Sequence, residues 1–224
     1  DPNFRSGANV AVGDLDADGV AEVVTGAAPG GGSHVRSFRI GPGGAEQIAG
    51  PLGSFFAFGA DFAGGVNIAL GDYDGVAGDE IIVGAATLFP QVRVFGRTGA
   101  IIADFLAFDV AHVGITVAAG DVDGDGKADI IVGPGDGGGP VVRTFRGGSG
   151  ELLTSIAAFD PDLRGGISVA AVGGRTEDGR AAVVAAPTEE ARSILILDPS
   201  ADALLDLLDA YSANFPGGVF VGAG

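Results

Sequence analysis

The chain has 224 residues, enough to bury a sizeable core, and its apolar content of 46% excludes a disordered chain. Glycine supplies 42 residues without a Gly-X-Y period, which excludes collagen and favours many short strands joined by tight turns. The net charge of −17 excludes nucleic acid and anionic membrane surfaces as expected partners, and the absence of cysteine excludes disulfides and thiolate sites.

One sequence pattern recurs along the whole chain. It begins as Gly7-Ala-Asn-Val-Ala-Val-Gly-Asp14 and starts again at Gly65, Gly114, Gly166 and Gly218, at spacings of 58, 49, 52 and 52 residues. We therefore expect a single domain whose repeat units cover about residues 7–64, 65–113, 114–165 and 166–217, with one extra strand over 218–224.

Each unit contains four short apolar runs bounded by Gly, Pro and Asp turns. In the second unit the last three runs are Glu80-Ile-Ile-Val83, Val92-Arg-Val-Phe95 and Phe105-Leu-Ala-Phe108. The segment Ser200–Ala210 also fits a helix, but its place in the repeat predicts a strand. Four strands at a period of about 50 residues predict an all-β fold, a β-propeller of about four four-stranded blades. The blades form either a ring of their own or part of a larger one.

An aspartate-rich loop, Asp121-Val-Asp-Gly-Asp-Gly-Lys-Ala-Asp129, joins the first and second strands of the third unit. Calcium prefers six to eight hard oxygen ligands, which this loop offers through carboxylates at positions 1, 3, 5 and 9 and a carbonyl at position 7. The predicted ligands are Asp121, Asp123, Asp125, Asp129 and the carbonyl oxygen of Lys127. Four carboxylates this close repel one another unless a divalent ion neutralises them.

The other units contain the corresponding loop, but they differ in how many of the predicted ligands are present. The first unit repeats the spacing with Asp14, Asp16, Asp18, Glu22 and the carbonyl of Val20. The second keeps Asp72, Asp74 and Glu80 but has Val76 at position 5, which predicts a weak site or none, with Asp79 as a partial replacement. The fourth has Gly174, Thr176, Asp178 and Ala182 at the matching positions, which predicts a metal-free turn.

The unit of strand, aspartate loop and strand, followed by Gly26-Ala-Ala-Pro29 or Gly133-Pro-Gly135, resembles the FG-GAP repeat of integrin α-subunits and of bacterial exported proteins. The resemblance covers nearly the whole chain and implies a calcium-braced propeller that serves adhesion or ligand binding. It implies metal ligands at all the positions named for the first and third loops, and in the second at Asp72, Asp74 and Glu80 alone. Integrin propellers have seven blades, so a chain of four units departs from that pattern.

No residues form a recognisable catalytic constellation. Gly133–Gly138 matches a dinucleotide-binding fingerprint, but the next predicted element is a strand and not the required helix. The histidines His34 and His112 fall at different repeat positions and are interpreted as polar loop residues. We therefore expect no enzyme activity and no catalytic residue in this segment.

Arginines and aromatic residues recur at fixed positions of the repeat. Arg36, Arg93 and Arg143 occupy one place in the third strand, where they either form an exposed strand face that pairs with carboxylates of a neighbouring blade or bind a ligand. The aromatic residues that end the fourth run either pack between blades or bind sugar; they are Phe58, Phe108, Phe159 and Tyr211.

The predicted function is that of a calcium-stabilised binding or adhesion module for a protein or glycan ligand. Extracellular calcium modules bind at about 10⁻⁴–10⁻³ M, so we expect an extracellular or cell-surface, secreted location. The chain starts at Asp1 and has no apolar stretch near 18 residues, so we expect no membrane insertion and a mature or excised segment of a larger protein. The alternatives are a non-catalytic accessory domain of a larger exported enzyme, or a structural unit that self-associates through Val219–Val221.

Overall fold

The computed structural model describes residues 5–189, 193–211 and 217–222. These residues form seventeen strands and no helix, which confirms the all-β prediction, including the strand expected within Ser200–Ala210. Within the described ranges, accordingly, no helix is long and apolar enough to cross a membrane.

The strands form four antiparallel sheets, and each sheet is one blade built from one repeat unit. Blade 1 contains β1 (Ala8–Gly13), β2 (Glu22–Ala27), β3 (His34–Gly41), β4 (Gly44–Gln47) and β5 (Ser54–Phe56). Blade 2 contains β6 (Val66–Gly71), β7 (Glu80–Ala85), β8 (Gln91–Phe95) and β9 (Ile101–Leu106). Blade 3 contains β10 (Ile115–Gly120), β11 (Asp129–Pro134), β12 (Val141–Phe145) and β13 (Leu152–Ala157). Blade 4 contains β14 (Ile167–Val172), β15 (Ala182–Pro187), β16 (Ser193–Asp198) and β17 (Ala203–Asp209).

The first strands of the blades lie side by side, with β1 against β6, β6 against β10 and β10 against β14. Together with residues 221–222 they surround a cavity of about 230 Å³. Side chains connect them, because the second residue of the first strand in blades 1, 2 and 3 donates to a carbonyl of the next blade. These bonds are Asn9 to Val66 (2.7 Å), Asn67 to Ile115 (2.7 Å) and Thr116 to Ile167 (2.6 Å). The arrangement is that of propeller blades around an axis, as predicted.

The hydrophobic core lies between blades rather than within them. Val24 and Val35 of blade 1 pack with Ile81, Val83 and Phe95 of blade 2 in one buried cluster, and equivalent clusters join blades 2 to 3 and 3 to 4. All six residues of β7 and of β11 are therefore buried, because both faces of these strands are covered. A single blade cannot bury its apolar faces alone, which is typical of repeat architectures.

Glycine in the second strand allows this close approach. A Cβ built on Gly84 of β7 would lie 2.7 Å from Val117 Cγ1 and 2.9 Å from Ile115 Cγ1 of the next blade. Any side chain at this position would force the two sheets apart.

Arg93 connects blade 2 to blade 1. Its Nη1 donates to the carbonyl of Ala57 at 2.8 Å, and its guanidinium carbon lies 5.1 Å from the centre of the Phe58 ring. Its carboxylate partner, Asp104, belongs to its own blade at 3.0 Å. The predicted pairing with carboxylates of a neighbouring blade is therefore wrong, because the contact between blades is to a carbonyl and an aromatic face.

The same contact joins blades 2 and 3. Arg143 donates to the carbonyl of Ala107 at 2.8 Å and lies 5.0 Å from the centre of the Phe108 ring. In blade 4 the arginine is replaced by Leu195, which packs in the cluster that includes Phe159. The prediction that these aromatic residues pack between blades is confirmed for Phe58, Phe108 and Phe159.

The fourth strand of blade 1 is split, unlike its single predicted run Phe55–Phe58. Its two parts, β4 and β5, pair with different halves of β3, and residues 48–53 lie between them. The interruption accounts for the longer spacing of 58 residues between the first two repeats.

The extra strand predicted over 218–224 is not formed over residues 218–222, and residues 223–224 lie outside the described residues. Val219 nevertheless packs on Ala186 and donates its N–H to the carbonyl of Pro187 at 3.0 Å.

Candidate metal centres

The three acidic loops connect the first and second strands of blades 1, 2 and 3. Antiparallel pairing places the residue before loop position 1 opposite loop position 9, as in the pairs Gly71–Glu80 and Gly120–Asp129. Each hairpin therefore brings the first and last carboxylates of its loop together at one end of the blade.

The loop of blade 3 is folded by its own carboxylates. Asp121 accepts the N–H groups of Gly124 at 2.6 Å and Gly126 at 3.0 Å, while Asp123 accepts that of Asp125 at 3.1 Å. Both glycines have positive φ, 83° and 87°, a conformation that other residues adopt at a cost. Carboxylate oxygens of Asp121, Asp123 and Asp129 lie within 4.8 Å of one another, a hard donor set that fits a divalent cation.

The carboxylate at loop position 9 is buried in every acidic loop. In blade 3, Asp129 accepts the N–H groups of Val122 at 2.9 Å and Gly147 at 2.8 Å. Burial, partly opposed by these bonds, raises the pKa of Asp129 to about 6. Burial likewise raises the pKa of Glu80 to about 7, and the charges of Asp74 and Asp72 raise it further. A cation bound here would offset both the burial and the repulsion of the charged forms.

The loop of blade 2 brings together all three of its predicted ligands. Oxygens of Asp72, Asp74 and Glu80 lie within 4.8 Å of one another although position 5 is the exposed Val76. Asp79 does not complete this group, because its Oδ2 accepts the N–H of Asp14 in the neighbouring loop at 2.9 Å. The predicted replacement of the missing carboxylate by Asp79 is therefore wrong.

In the loop of blade 1, the carboxylates pair with a cationic side chain of the protein itself, Arg39. Asp14, Asp16 and Asp18 form its converging group, in which Glu22 takes no part. The guanidinium of Arg39, from β3, pairs with Asp16, with Asp18 at 3.5 Å and with Glu22 at 3.0 Å. In blade 3 the corresponding Arg146 pairs with Asp123 at 3.2 Å. The sequence pattern of the loop did not reveal Arg39, which lies 17 residues beyond Glu22.

The remaining predicted ligands are Asp125 and the carbonyl oxygens of Val20 and Lys127. Asp18 and Asp125 accept the N–H groups of Val20 and Lys127 at 2.8 and 2.9 Å, so both loops have the same turn. Asp125 takes no part in the converging group of its loop. The carbonyl oxygens of Val20 and Lys127 stay predicted ligands.

The fourth loop is closed by different contacts. Arg180 binds Asp178 at 2.6 Å and Asp198 at 3.5 Å, and the hydroxyl of Thr176 donates to Asp178 at 2.8 Å. The guanidinium of Arg180 and the hydroxyl of Thr176 thus bind the carboxylate of Asp178.

Backbone hydrogen bonds connect successive loops. The N–H at position 8 of one loop donates to the carbonyl at position 1 of the loop before it, through the pairs Asp79–Asp14 (2.7 Å), Ala128–Asp72 (2.7 Å) and Ala181–Asp121 (2.8 Å). An ion that fixes one loop therefore also fixes an acceptor for the next blade.

The aspartate loops of blades 1 and 3 lie within segments that match a known protein family. Residues 6–48 and 113–150 match the model described as FG-GAP repeat. The match confirms the resemblance for both segments, and each includes one complete aspartate loop. No curated protein sequence matches the chain.

Solved structures with the same fold include the computationally designed Ika8 protein, at 20% identity and a TM-score of 0.53, over 94% of this chain and 51% of that one. They also include a rhamnogalacturonan lyase, PL11, of Bacillus licheniformis, at 14% identity and 0.50, over 92% and 51%. A third is the exotype rhamnogalacturonan lyase YesX, at 15% and 0.51, over 87% and 40%. At these identities the likeness shows the fold alone. The chain spans about half the length of these proteins or less.

Proposed function

We propose that this FG-GAP propeller is a calcium-stabilised, non-catalytic module that acts outside the cell and binds a protein or glycan ligand. The observation that carries the calcium proposal is the convergence of three carboxylates in each of three loops, around a buried ninth residue in blades 2 and 3. Oxygen-only donor sets of this kind fit calcium. The FG-GAP propeller fold supports a binding or accessory module.

The residues that would hold the ion are Asp121, Asp123 and Asp129 in blade 3, and Asp72, Asp74 and Glu80 in blade 2. The ion would neutralise the carboxylates that repel one another. It would also make rigid a loop that is otherwise held by hydrogen bonds from backbone N–H groups to aspartate side chains. Blade 1 is the weakest of the three, because Arg39 already pairs with its carboxylates.

Calorimetric titration and thermal melting of the chain test the calcium proposal. We take a dissociation constant of about 10⁻⁴ M. Free calcium at about one hundred times this concentration then stabilises the fold by about 2.7 kcal/mol. For a chain of this size we expect a rise of about 5–10 °C in the melting midpoint over that in chelator. Equal midpoints in calcium and in chelator would contradict the proposal.

Two asparagine variants locate the effect. Asp123→Asn should remove one binding event and lower the midpoint more in calcium than in chelator, where only its ion pair with the half-exposed Arg146 is lost. Asp136→Asn, at an exposed residue between β11 and β12, is the matched control and should titrate like the unmodified chain. Calcium binding that is the same in both variants would show that the loop of blade 3 is not the site.

Ligand binding is tested separately, on glycan and surface-protein arrays with the calcium-loaded chain. We expect binding that chelator abolishes, since the ion orders the loops at one end of the blades. A chain that melts higher in calcium but binds nothing on either array would retain the calcium site and refute the adhesion proposal.

A second proposal is that the chain is an accessory part of a larger exported enzyme. It is supported by the fold that the chain shares with longer proteins, two of which are named as rhamnogalacturonan lyases. Determining the sequence of the natural polypeptide tests it. A catalytic domain joined to these repeats would support the proposal, and a polypeptide that consists of propeller repeats throughout would refute it.

A further inference from the structure

The loop of blade 4 is held together by an arginine of its own. Arg180, at loop position 7, binds the carboxylate of Asp178 at position 5 (2.6 Å) and reaches Asp198, at the end of β16, at 3.5 Å. The side chains of Arg180 and Asp198 are 17% and 10% exposed. The other carboxylate oxygen of Asp198 accepts the N–H and the hydroxyl of Ser200 at 3.1 and 2.8 Å. Arg180 is therefore fixed without a metal ion.

The same arginine also holds the backbone of the preceding loop. Its Nη1 donates to the carbonyl of Val122 at 3.1 Å. The next residue, Ala181, donates its N–H to the carbonyl of Asp121 at 2.8 Å. The side chain of Arg180 lies along Gly124, since a Cβ built on this glycine would come within 3.1 Å of Arg180 Cδ. Residues 180 and 181 of blade 4 thus bind two consecutive carbonyls in the loop of blade 3.

These two carbonyls lie among the candidate ligands of that loop. Val122 separates Asp121 from Asp123, whose carboxylates converge with that of Asp129. The N–H groups of Val122 and Asp123 donate to Asp129 at 2.9 and 3.2 Å. The peptide groups on both sides of Val122 therefore have their N–H and their carbonyl bound. A backbone that is already held in this way loses less conformational entropy when an ion binds.

The other acidic loops have a weaker contact at this place. Lys127, at position 7 of the loop of blade 3, lies over the loop of blade 2, where a Cβ on Gly75 would come within 3.1 Å of its Cε. A single flexible ammonium cannot hold several partners in a fixed plane as the guanidinium of Arg180 does. Position 7 of the loop of blade 2 is Gly78, and Arg97 beside it donates to a carbonyl of its own loop.

Arg180 differs from Arg39 in what its charge does to an ion. The carboxylate partners of Arg180 are Asp178 and Asp198, which belong to blade 4 and are not ligands of the loop of blade 3. This group of one guanidinium and two carboxylates is negative as a whole, so it does not repel a cation. The partners of Arg39 are the carboxylates of its own acidic loop. Arg39 thus competes with an ion for ligands, whereas Arg180 leaves the ligands free.

We infer that Arg180 is a positioning residue for the calcium site of blade 3, and that this site fills at a lower calcium concentration than the sites of blades 2 and 1. The inference rests on the proposed calcium function and adds the order of filling. A filled loop of blade 3 also fixes Ala128, whose N–H binds the carbonyl of Asp72 at 2.7 Å. Binding at blade 3 therefore lowers the entropy that the loop of blade 2 loses when it binds in turn.

A calcium titration of the full chain, followed by NMR through glycine amide signals, reports each loop separately. The calcium concentration at half of the change should be lowest for Gly126 of blade 3, higher for Gly75 of blade 2 and highest for Gly19 of blade 1. Arg180→Ala should raise this concentration for Gly126 by about tenfold, because the backbone is no longer held beforehand. Arg175→Ala, at an exposed arginine of the same loop, removes the same charge and should leave it unchanged.

The sign of the effect separates positioning from charge. An effect of charge alone predicts tighter binding in Arg180→Ala and no change in Arg180→Lys, whereas positioning predicts weaker binding in both, since lysine lacks the planar fork. A loss of stability alone would lower the melting midpoint in chelator without moving the Gly126 concentration. Unchanged or tighter binding in both variants, or a response of Gly75 before Gly126, overturns the inference while the calcium proposal stands. If no glycine signal responds to calcium, the calcium proposal itself is refuted and this inference with it.

Asp123→Asn tests whether order passes from blade 3 to blade 2. With the loop of blade 3 unable to bind, the calcium concentration at half of the change should rise by about fivefold for Gly75. Gly19, two blades away, should respond as in the unmodified chain. Asp136→Asn removes the same charge outside the loops and should change neither signal. A Gly75 response that is the same in both variants would show that the sites bind independently and would refute the coupling.

Discussion

Replacing Arg143 by alanine measures how strongly one side chain holds two blades together. Its hydrogen bond to the carbonyl of Ala107 is charge-assisted, a type worth about 1.5–3 kcal/mol, and its contact with the Phe108 ring adds about 0.5–1 kcal/mol. Ala107 is fully buried, so the substitution also leaves its carbonyl without this donor. Allowing for partial solvation of the carbonyl, we expect the free energy of unfolding to fall by about 2–3 kcal/mol.

The chain contains its own control at the same repeat position. Arg36 binds Gln47 in its own blade and is exposed, so Arg36→Ala should change the free energy of unfolding by less than about 0.5 kcal/mol. Arg143→Lys should lie between the two, because lysine keeps the charge but loses the planar contact with the ring.

Urea unfolding followed by far-ultraviolet circular dichroism measures all three variants, in chelator and in dilute solution so that neither ions nor association contribute. Equal losses in Arg143→Ala and Arg36→Ala would refute the reasoning, since only one of these arginines reaches another blade.

Three further predictions concern the loop of blade 1, the close approach of blades and the buried core. Arg39→Ala should tighten calcium binding at this loop by about tenfold in a calorimetric titration, because its carboxylates lose their internal counter-ion; unchanged affinity would contradict this. Gly84→Ala should cost about 1–3 kcal/mol in urea unfolding by pushing two sheets apart. Gly139→Ala, where a Cβ meets nothing within 4 Å, should be neutral or slightly stabilising. Equal changes of stability in Gly84→Ala and Gly139→Ala would contradict this prediction. Ile131→Ala should lower the free energy of unfolding by about 2–5 kcal/mol, because it leaves a cavity in a fully buried strand. Ile101→Ala, at a half-exposed residue, should lower it by less than about 1 kcal/mol. Similar losses in the two variants would argue against a core between blades.

Prediction from the sequence worked best for the aspartate loops, where the pattern is local. Positions 1, 3 and 9 fall within nine residues, and the hairpin register alone brings Asp121 and Asp129 together. Prediction failed where a partner is distant in the chain. Asp79 lies within the loop of blade 2 but accepts a bond from Asp14, 65 residues away, because adjacent blades place their loops side by side.

The arginines show the same limit. Their recurrence predicted a shared role, but the sequence pointed to carboxylates as partners, and the structure gives Arg93 a carbonyl and a ring of the preceding blade. A buried carbonyl has no sequence signature, since every residue has one. Only the packing of one sheet on another decides which carbonyl lies within reach.

By itself, the sequence determined the number of repeats, the four strands of blades 2, 3 and 4 and the place of every acidic loop, because alternation and turn chemistry act over a few residues. The tertiary structure alone decided which faces are covered. Val10 and Ile68 are equivalent in the repeat, yet only Ile68 is buried, since burial depends on whether a blade stands in front. The charge balance of the loops was likewise decided in three dimensions, because Arg39 reaches its carboxylates from β3 and Arg146 from the residue that follows β12.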